Sequence, residues 1–276
     1  MKIILVSLLG MAVPAMDDPS ATSCTPLPGV EALRDARPDF VIVGEAHGTA
    51  ELPAAFADLV CAYAAAGTPL TVGLEFLPAE QPVLDAYLAS SGDDAAKAAL
   101  LASPAWTIRD GRASQAIFGL IEALRKMKAT HGDLAVVAFD HPSERPGTSA
   151  TREKGMADLL LAAKRGRPTA PVLALTGNGH AGKSEWTSLG PPFAAMAQLL
   201  PAERTIAISF HVEGGEIWSC WRETPEADEA CGPRPIRARS DSRPRGIEAG
   251  SGRKGFDATL SVGSPFTASL PAKPAP

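Results

Sequence analysis

Asp39-Phe40-Val41-Ile42-Val43 runs straight into Gly44-Glu45-Ala46-His47-Gly48-Thr49, a buried-strand pattern that ends in a polar, glycine-flanked turn. Residues 51–66 follow as a helix, with Leu52, Phe56, Leu59, Val60 and Tyr63 on one face and Gly67 at its end. The unit then repeats. Residues 70–74 (LTVGL) form a strand ending at Glu75, and helical patterns cover 79–89, 94–101 and 114–128. In the last of these, Ile117, Leu120, Ile121, Leu124 and Met127 share one face. A strand over 134–139 ends at Asp140-His141, a helix covers 151–164, and a strand over 171–176 ends at Gly177-Asn178-Gly179-His180. A helix over 192–200 and a strand over 204–210 complete the alternation.

Strand-helix alternation of this kind predicts right-handed crossovers and an α/β fold, with a mostly parallel, mixed central sheet and helices on both faces. The unbroken apolar character of the strands fits burial on both sides. Further strands are expected over 216–221 and 256–262. Residues 232–255, with seven basic side chains against two acidic ones, read as a solvated flexible loop, and the Pro/Ala-rich 264–276 as a disordered tail. Residues 16–276 are read as a single domain.

Composition bounds the function. Of 276 residues, 45% are hydrophobic and 21% charged, which excludes global disorder and collagen-like repeats. A formal charge of −5, from 26 basic against 31 acidic residues, argues against nucleic acid as a partner. Lys2 followed by an apolar run ending Val13-Pro14-Ala15 reads as a signal peptide over 1–15. That run is shorter than the roughly 20 residues of a membrane-spanning helix. The expectation is an exported protein, periplasmic or secreted, with no membrane span after cleavage. Cys24, Cys61, Cys220 and Cys231 contain no CxxC pair and suit disulfides in such a compartment. Four cysteines allow three pairings; Cys24–Cys61 with Cys220–Cys231 is the expected one, and the others stay open.

The functional signal lies just beyond the end of each strand: Glu45 and His47, Glu75, Asp140 and His141, Asn178 and His180. A parallel sheet gathers these carboxyl ends along one edge, where open α/β folds bind ligands. Two carboxylates about 4 Å apart repel by roughly 4 kcal/mol at an effective dielectric near 20. A cation, a shared proton or an arginine must therefore stand between them. A divalent metal held by Glu45, His47, Glu75 and His180 would meet that need and activate water. Without a metal, His47 or His180 would take the proton from water. Structural alternatives stay open: helix capping for Glu45-Ala46-His47, a tight turn for Asn178 to His180, a cap for Asp140. No GxSxG elbow and no Walker or Rossmann glycine pattern occurs.

Gly44-Glu45-Ala46-His47, then Leu74-Glu75, then Gly177-Asn178-Gly179-His180 resemble the superfamily of erythromycin esterases, ChaN-like haem-binding uptake proteins, and TraB and Tiki proteins. Its pattern is a GxxH turn, a Glu after the next strand, and a second GxxH turn. Asp110-Gly111-Arg112, Arg152-Glu153 through Met156-Ala157, and Phe256-Asp257-Ala258 are most similar to the ChaN-like branch. The resemblance implies Glu45, His47, Glu75 and His180 as site residues. It also implies one of three roles: metal-free ester hydrolysis, metal-dependent proteolysis, or haem binding in iron uptake. The expectation carried forward is a metal-assisted hydrolase of an ester or amide, acting on a small molecule or peptide. Arg112 and Arg152 would neutralise the carboxylates or hold an anionic substrate, and Asn178 would help bind it. A haem- or iron-binding protein without turnover is the alternative, and an interaction protein with a degenerate site is a third.

Overall fold

A computed structural model describes residues 24–273 apart from 145–146, 225, 240 and 251. The signal peptide expected over 1–15 lies outside the described residues. In chain order the elements are α1 (Val30–Asp35), β1 (Phe40–Glu45), α2 (Glu51–Ala65), β2 (Leu70–Leu74), α3 (Gln81–Leu88), α4 (Asp94–Leu101) and α5 (Gln115–His131). Then come β3 (Leu134–Ala138), α6 (Ala150–Gly166), β4 (Val172–Gly177), α7 (Asn178–Ala181), β5 (Glu185–Trp186), β6 (Phe193–Ala194) and β7 (Thr205–Phe210). β8 (Glu216–Trp221), β9 (Ala230–Pro235), β10 (Gly246–Ala249) and β11 (Ala258–Ser261) complete the series.

Seven strands form the central sheet in the order β10-β11-β7-β1-β4-β2-β3, all neighbours parallel except β10 against β11. Side-chain alternation divides the core in two. Val41 and Val43 of β1, with Leu173 and Leu175 of β4, face the cluster built with α2, α3 and α5. Phe40, Ile42, Val172 and Ala174 face the opposite cluster, which Met156, Ala157 and Leu160 of α6 cover. Both faces are dry, so these strands read as apolar without alternation. Ser114 caps α5 by accepting the Ile117 N–H at 3.3 Å, and Ser149 caps α6 through the Arg152 N–H at 3.2 Å.

Three segments depart from expectation. Residues 192–200 form no α-helix; β6 pairs with β5 there, and a 3-10 turn spans Met196–Leu199. Pro191 and Pro192 stand at its start, and N–H groups that a helix would bond internally go elsewhere: Ala195 to the Ser184 carbonyl, Met196 to the Glu153 carboxylate. Within 232–255, read as a loop, β9 continues to Pro235 and β10 lines the sheet edge along β11. The 264–273 segment, read as disordered, is ordered by backbone pairing. Its Thr267 carbonyl accepts from Ala50 and its Ser269 N–H donates to Gly48. The Leu270 carbonyl accepts from Gln115 and Ala272 donates to Ala113. Composition alone misreads it because these bonds satisfy main-chain groups of two distant turns, whatever side chains the segment carries.

The disulfides are Cys24–Cys61, fastening the segment before α1 to α2, and Cys220–Cys231, across the β8–β9 hairpin. No helix among the described residues is long and apolar enough to cross a membrane.

Candidate functional site

The β1, β4, β2 and β3 carboxyl ends bring Glu45, His47, Glu75, Asp140 and His180 together, as sheet topology predicts. Gly177, at the end of β4, leaves room for the His47 ring: a Cβ there would meet its Nε2 at 2.8 Å. Arg112 arrives from a different direction. Gly111 takes φ +99° and lies so close to Gly48 that a Cβ would come within 2.5 Å of the Gly48 nitrogen. The Asp110-Gly111-Arg112 turn therefore stacks on the His47 turn, backbone against backbone.

Glu75 is the centre of the network. Its Oε1 accepts from Arg152 Nη2 at 2.9 Å; its Oε2 accepts from Thr176 Oγ1 at 2.6 Å and the Gly177 N–H at 2.7 Å. Arg152 also donates through Nε to Asp140 Oδ1 at 2.8 Å and through Nη1 to the Gly147 carbonyl at 3.1 Å. Arg112 is forked onto Asp110, with Nη2 at 2.8 Å, and its Nη1 lies 3.7 Å from Glu75 and 3.6 Å from Asp140. Burial pushes the Glu75 carboxyl up, but the charges of His47, Arg112 and Arg152 outweigh it and hold the group well below the usual carboxylate range.

The two histidines play different parts. Arg152 Nη1 stands 3.2 Å from His180 Nε2, and a guanidinium only donates, so Nε2 is the acceptor and the His180 proton sits on Nδ1. Nδ1 donates at 2.6 Å to Glu153, a fully buried carboxylate that also accepts from Thr148 Oγ1 and the Met196 N–H. His180 thus anchors Arg152. His47 donates Nδ1–H to Glu45 Oε1 at 2.8 Å, while its Nε2, 3.8 Å from Glu75, is too far for a hydrogen bond. Burial pulls the His47 imidazole down, but Glu75 and then Glu45 overcome it and raise it to about 9. Beside His47 a cleft of about 10 Å³, walled by Glu45, Glu75 and Arg112, has room for about one water molecule. It adjoins a wider pocket of about 370 Å³, whose floor is Glu75, Arg112, Asp140 and Arg152.

These residues do not fit a divalent metal. His180 has both ring nitrogens engaged, Glu75 is saturated by donors, and His47 Nδ1 is held by Glu45. That leaves His47 Nε2 and the second oxygen of Glu45, whereas a zinc site needs three or four lone pairs at about 2 Å. Two guanidiniums, those of Arg112 and Arg152, stand against Glu75 and Asp140 and balance their charge. Among the described residues, the one set of ligand-type atoms in mutual reach is Cys220, Glu229 and Cys231, and its two sulfurs are bonded to each other. Haem fits no better. Its iron needs an imidazole opening on an apolar slot, and His47 opens on a charged, water-sized cleft.

Arg112 and Arg152, expected to hold substrate, line the wider pocket. Asn178 does not: its Oδ1 accepts from Ser209 Oγ at 3.2 Å and packs against Gly44, outside the lining of the pocket. His141 turns back to the Pro142 carbonyl. Glu153 and Asp110 are the members that sequence reasoning passed over as site residues. Each lies beside an arginine of the site, in Arg152-Glu153 and Asp110-Gly111-Arg112, and that adjacency is the available signal.

No family model matches the sequence, and no curated protein matches it. Solved structures do. An erythromycin esterase in its open conformation is 13% identical, with a TM-score of 0.65 over 88% of this chain and 94% of its own. A succinoglycan biosynthesis protein is 11% identical, with a TM-score of 0.65 over 89% and 93%. A Bacillus cereus protein is 12% identical, with a TM-score of 0.55 over 88% and 93%. The fold expected from the two GxxH turns is the fold of these proteins.

Proposed function

We propose that this chain is a metal-free hydrolase of carboxylic esters. The observation that carries the reading is His47: Nδ1 is fixed by Glu45, and Nε2 opens unpaired on a water-sized cleft beside the Arg112 guanidinium. In its unprotonated form, Nε2 takes a proton from water as the oxygen attacks the ester carbon. Arg112 Nη1, which faces Glu75 and Asp140 at 3.7 and 3.6 Å without a hydrogen bond to either, donates to the oxyanion that forms. The imidazolium then returns its proton to the leaving alkoxide as the carbon–oxygen bond breaks. Glu45 orients the ring, while Glu75, anchored by Arg152 and β4, keeps Arg112 and His47 in register. Arg152, Glu153 and His180 act through position. The esterase of the same fold lends support to this chemistry.

Export is part of the proposal. The two disulfides suit an oxidising compartment, which a signal peptide over residues 1–15 would give the chain access to. The test is hydrolysis of p-nitrophenyl acyl esters by purified protein, before and after exhaustive EDTA treatment. Turnover that survives EDTA and disappears in His47→Gln is expected. EDTA-sensitive turnover restored by a divalent ion refutes the metal-free reading, and undiminished turnover in His47→Gln refutes the role of His47.

A further inference from the structure

The wider pocket has two kinds of wall. Phe76, Leu77, Pro104, Ala105 and Ile108 form an apolar side, and Leu77 (40% exposed) and Ile108 (37%) are among the few large hydrophobics that the surface leaves open. Its volume of about 370 Å³ falls in the range of small-molecule sites. The charges on its floor are matched, since Glu75 and Asp140 face Arg152 and Arg112.

Glu80 is not matched. It lines the same pocket from the turn Pro78–Glu80, directly after β2, and is only 7% exposed. Its carboxylate has no hydrogen bond or ion pair with any described residue, unlike Glu75 and Asp140 in the same pocket. The position before α3 does not account for it. Glu80 has αR backbone angles there and makes no side-chain cap, so the helix dipole tolerates the charge without pairing it. Its oxygens stay open to the pocket, so a cation entering there meets an acid with no competing protein partner. The turn is well held, through the Glu80 N–H to the Leu77 carbonyl at 2.9 Å. The acid is therefore presented on a fixed element.

The geometry points to Glu80 as a specificity residue that reads a cationic amine on the substrate. Resting on the hydrolase reading, the substrate class becomes an ester with an apolar body and a basic nitrogen. The apolar body lies along Phe76 and Ile108, the acyl oxygen at Arg112, and the ammonium group at Glu80. A neutral ester of the same shape leaves that carboxylate unpaired and is a poorer substrate.

The experiment compares two isosteric esters, p-nitrophenyl 4-(trimethylammonio)butyrate and p-nitrophenyl 5,5-dimethylhexanoate. The readout is the ratio of their kcat/KM values. A preference of about tenfold or more for the cationic ester is expected in the unmodified protein, falling to near one in Glu80→Gln. In Glu80→Lys the preference reverses. Circular dichroism confirms the fold of each variant. Equal use of both esters by the unmodified protein, or a preference that persists in Glu80→Gln, overturns the assignment. If neither ester turns over, calorimetric Kd values for the two matching methyl ketones separate the questions. A cation preference in Kd that Glu80→Gln abolishes upholds Glu80 and leaves only hydrolysis refuted; equal binding, or none, overturns Glu80 as well.

Discussion

Replacing Glu45 by Gln removes the carboxylate 2.8 Å from His47 Nδ1 and keeps an oxygen that accepts its proton. The ring stays oriented while its basicity changes. In the intact protein the rise of His47 from 6.5 to about 9 amounts to about 3 kcal/mol in favour of the imidazolium. Two carboxylates supply it against burial, and at an effective dielectric near 20 each contributes on the order of a few kcal/mol. Only the unprotonated ring can act as base, so at pH 7 about one molecule in a hundred is competent. For p-nitrophenyl butyrate, corrected for spontaneous hydrolysis, kcat/KM should climb about tenfold per pH unit and level off near pH 9. In Glu45→Gln the inflection should fall by about one to two pH units, so that the variant gains on the parent below pH 8. Imidazole 15N titration gives the same pKa values without turnover. An inflection near 6.5 in the parent, or one that Glu45→Gln does not move, refutes the electrostatic argument.

His47 also links stability to pH. Its folded pKa lies above its unfolded one, so its contribution is complete below about 6.5 and is lost as pH rises through about 9. Urea midpoints measured from pH 6 to 10 should fall across that window, and the fall should vanish in His47→Gln. Glu75→Gln should lose about 3–5 kcal/mol by urea unfolding, because Arg152 is left buried with one carboxylate fewer. Arg112→Lys keeps a positive charge but loses the fork to Asp110, and a fall of roughly a hundredfold in kcat with little change in urea midpoint is expected. Replacing Cys24 and Cys61 together by Ser should cost about 4 kcal/mol by the chain-entropy relation for a separation of 37 residues, read as a lowered thermal midpoint.

The sheet was legible because its strands are buried on both faces, and because polar residues mark each strand end. Glu45, His47, Glu75 and His180 follow from topology alone, since parallel strands leave their ends nowhere else to go. The division of labour between the histidines was not legible. It depends on Arg152, which enters from the first turn of α6 and takes the lone pair of His180 that a metal would have used. No spacing in the sequence specifies where a seven-atom side chain will reach. Asn178 stays out of the pocket lining for the related reason that Ser209, on β7 beyond β1, donates to its carbonyl. Residues 192–200 carry helix-forming types, but a tertiary acceptor at Glu153 holds the Met196 N–H. Glu80 gives no signal at all in one dimension, because a Glu opening a helix is ordinary and only enclosure makes it unusual.

The strap formed by 264–273 has a consequence for assembly. It joins residues separated by 153 and 216 positions, bonding Ser269 to Ala116 and Thr267 to Glu51. The strap bonds to turns that the paired strands hold in place, so it should close after the sheet has formed. The turns bearing His47 and Arg112 should therefore remain loose in an otherwise folded molecule until this buckle snaps shut. Maturation of activity would then lag behind the recovery of secondary structure during refolding.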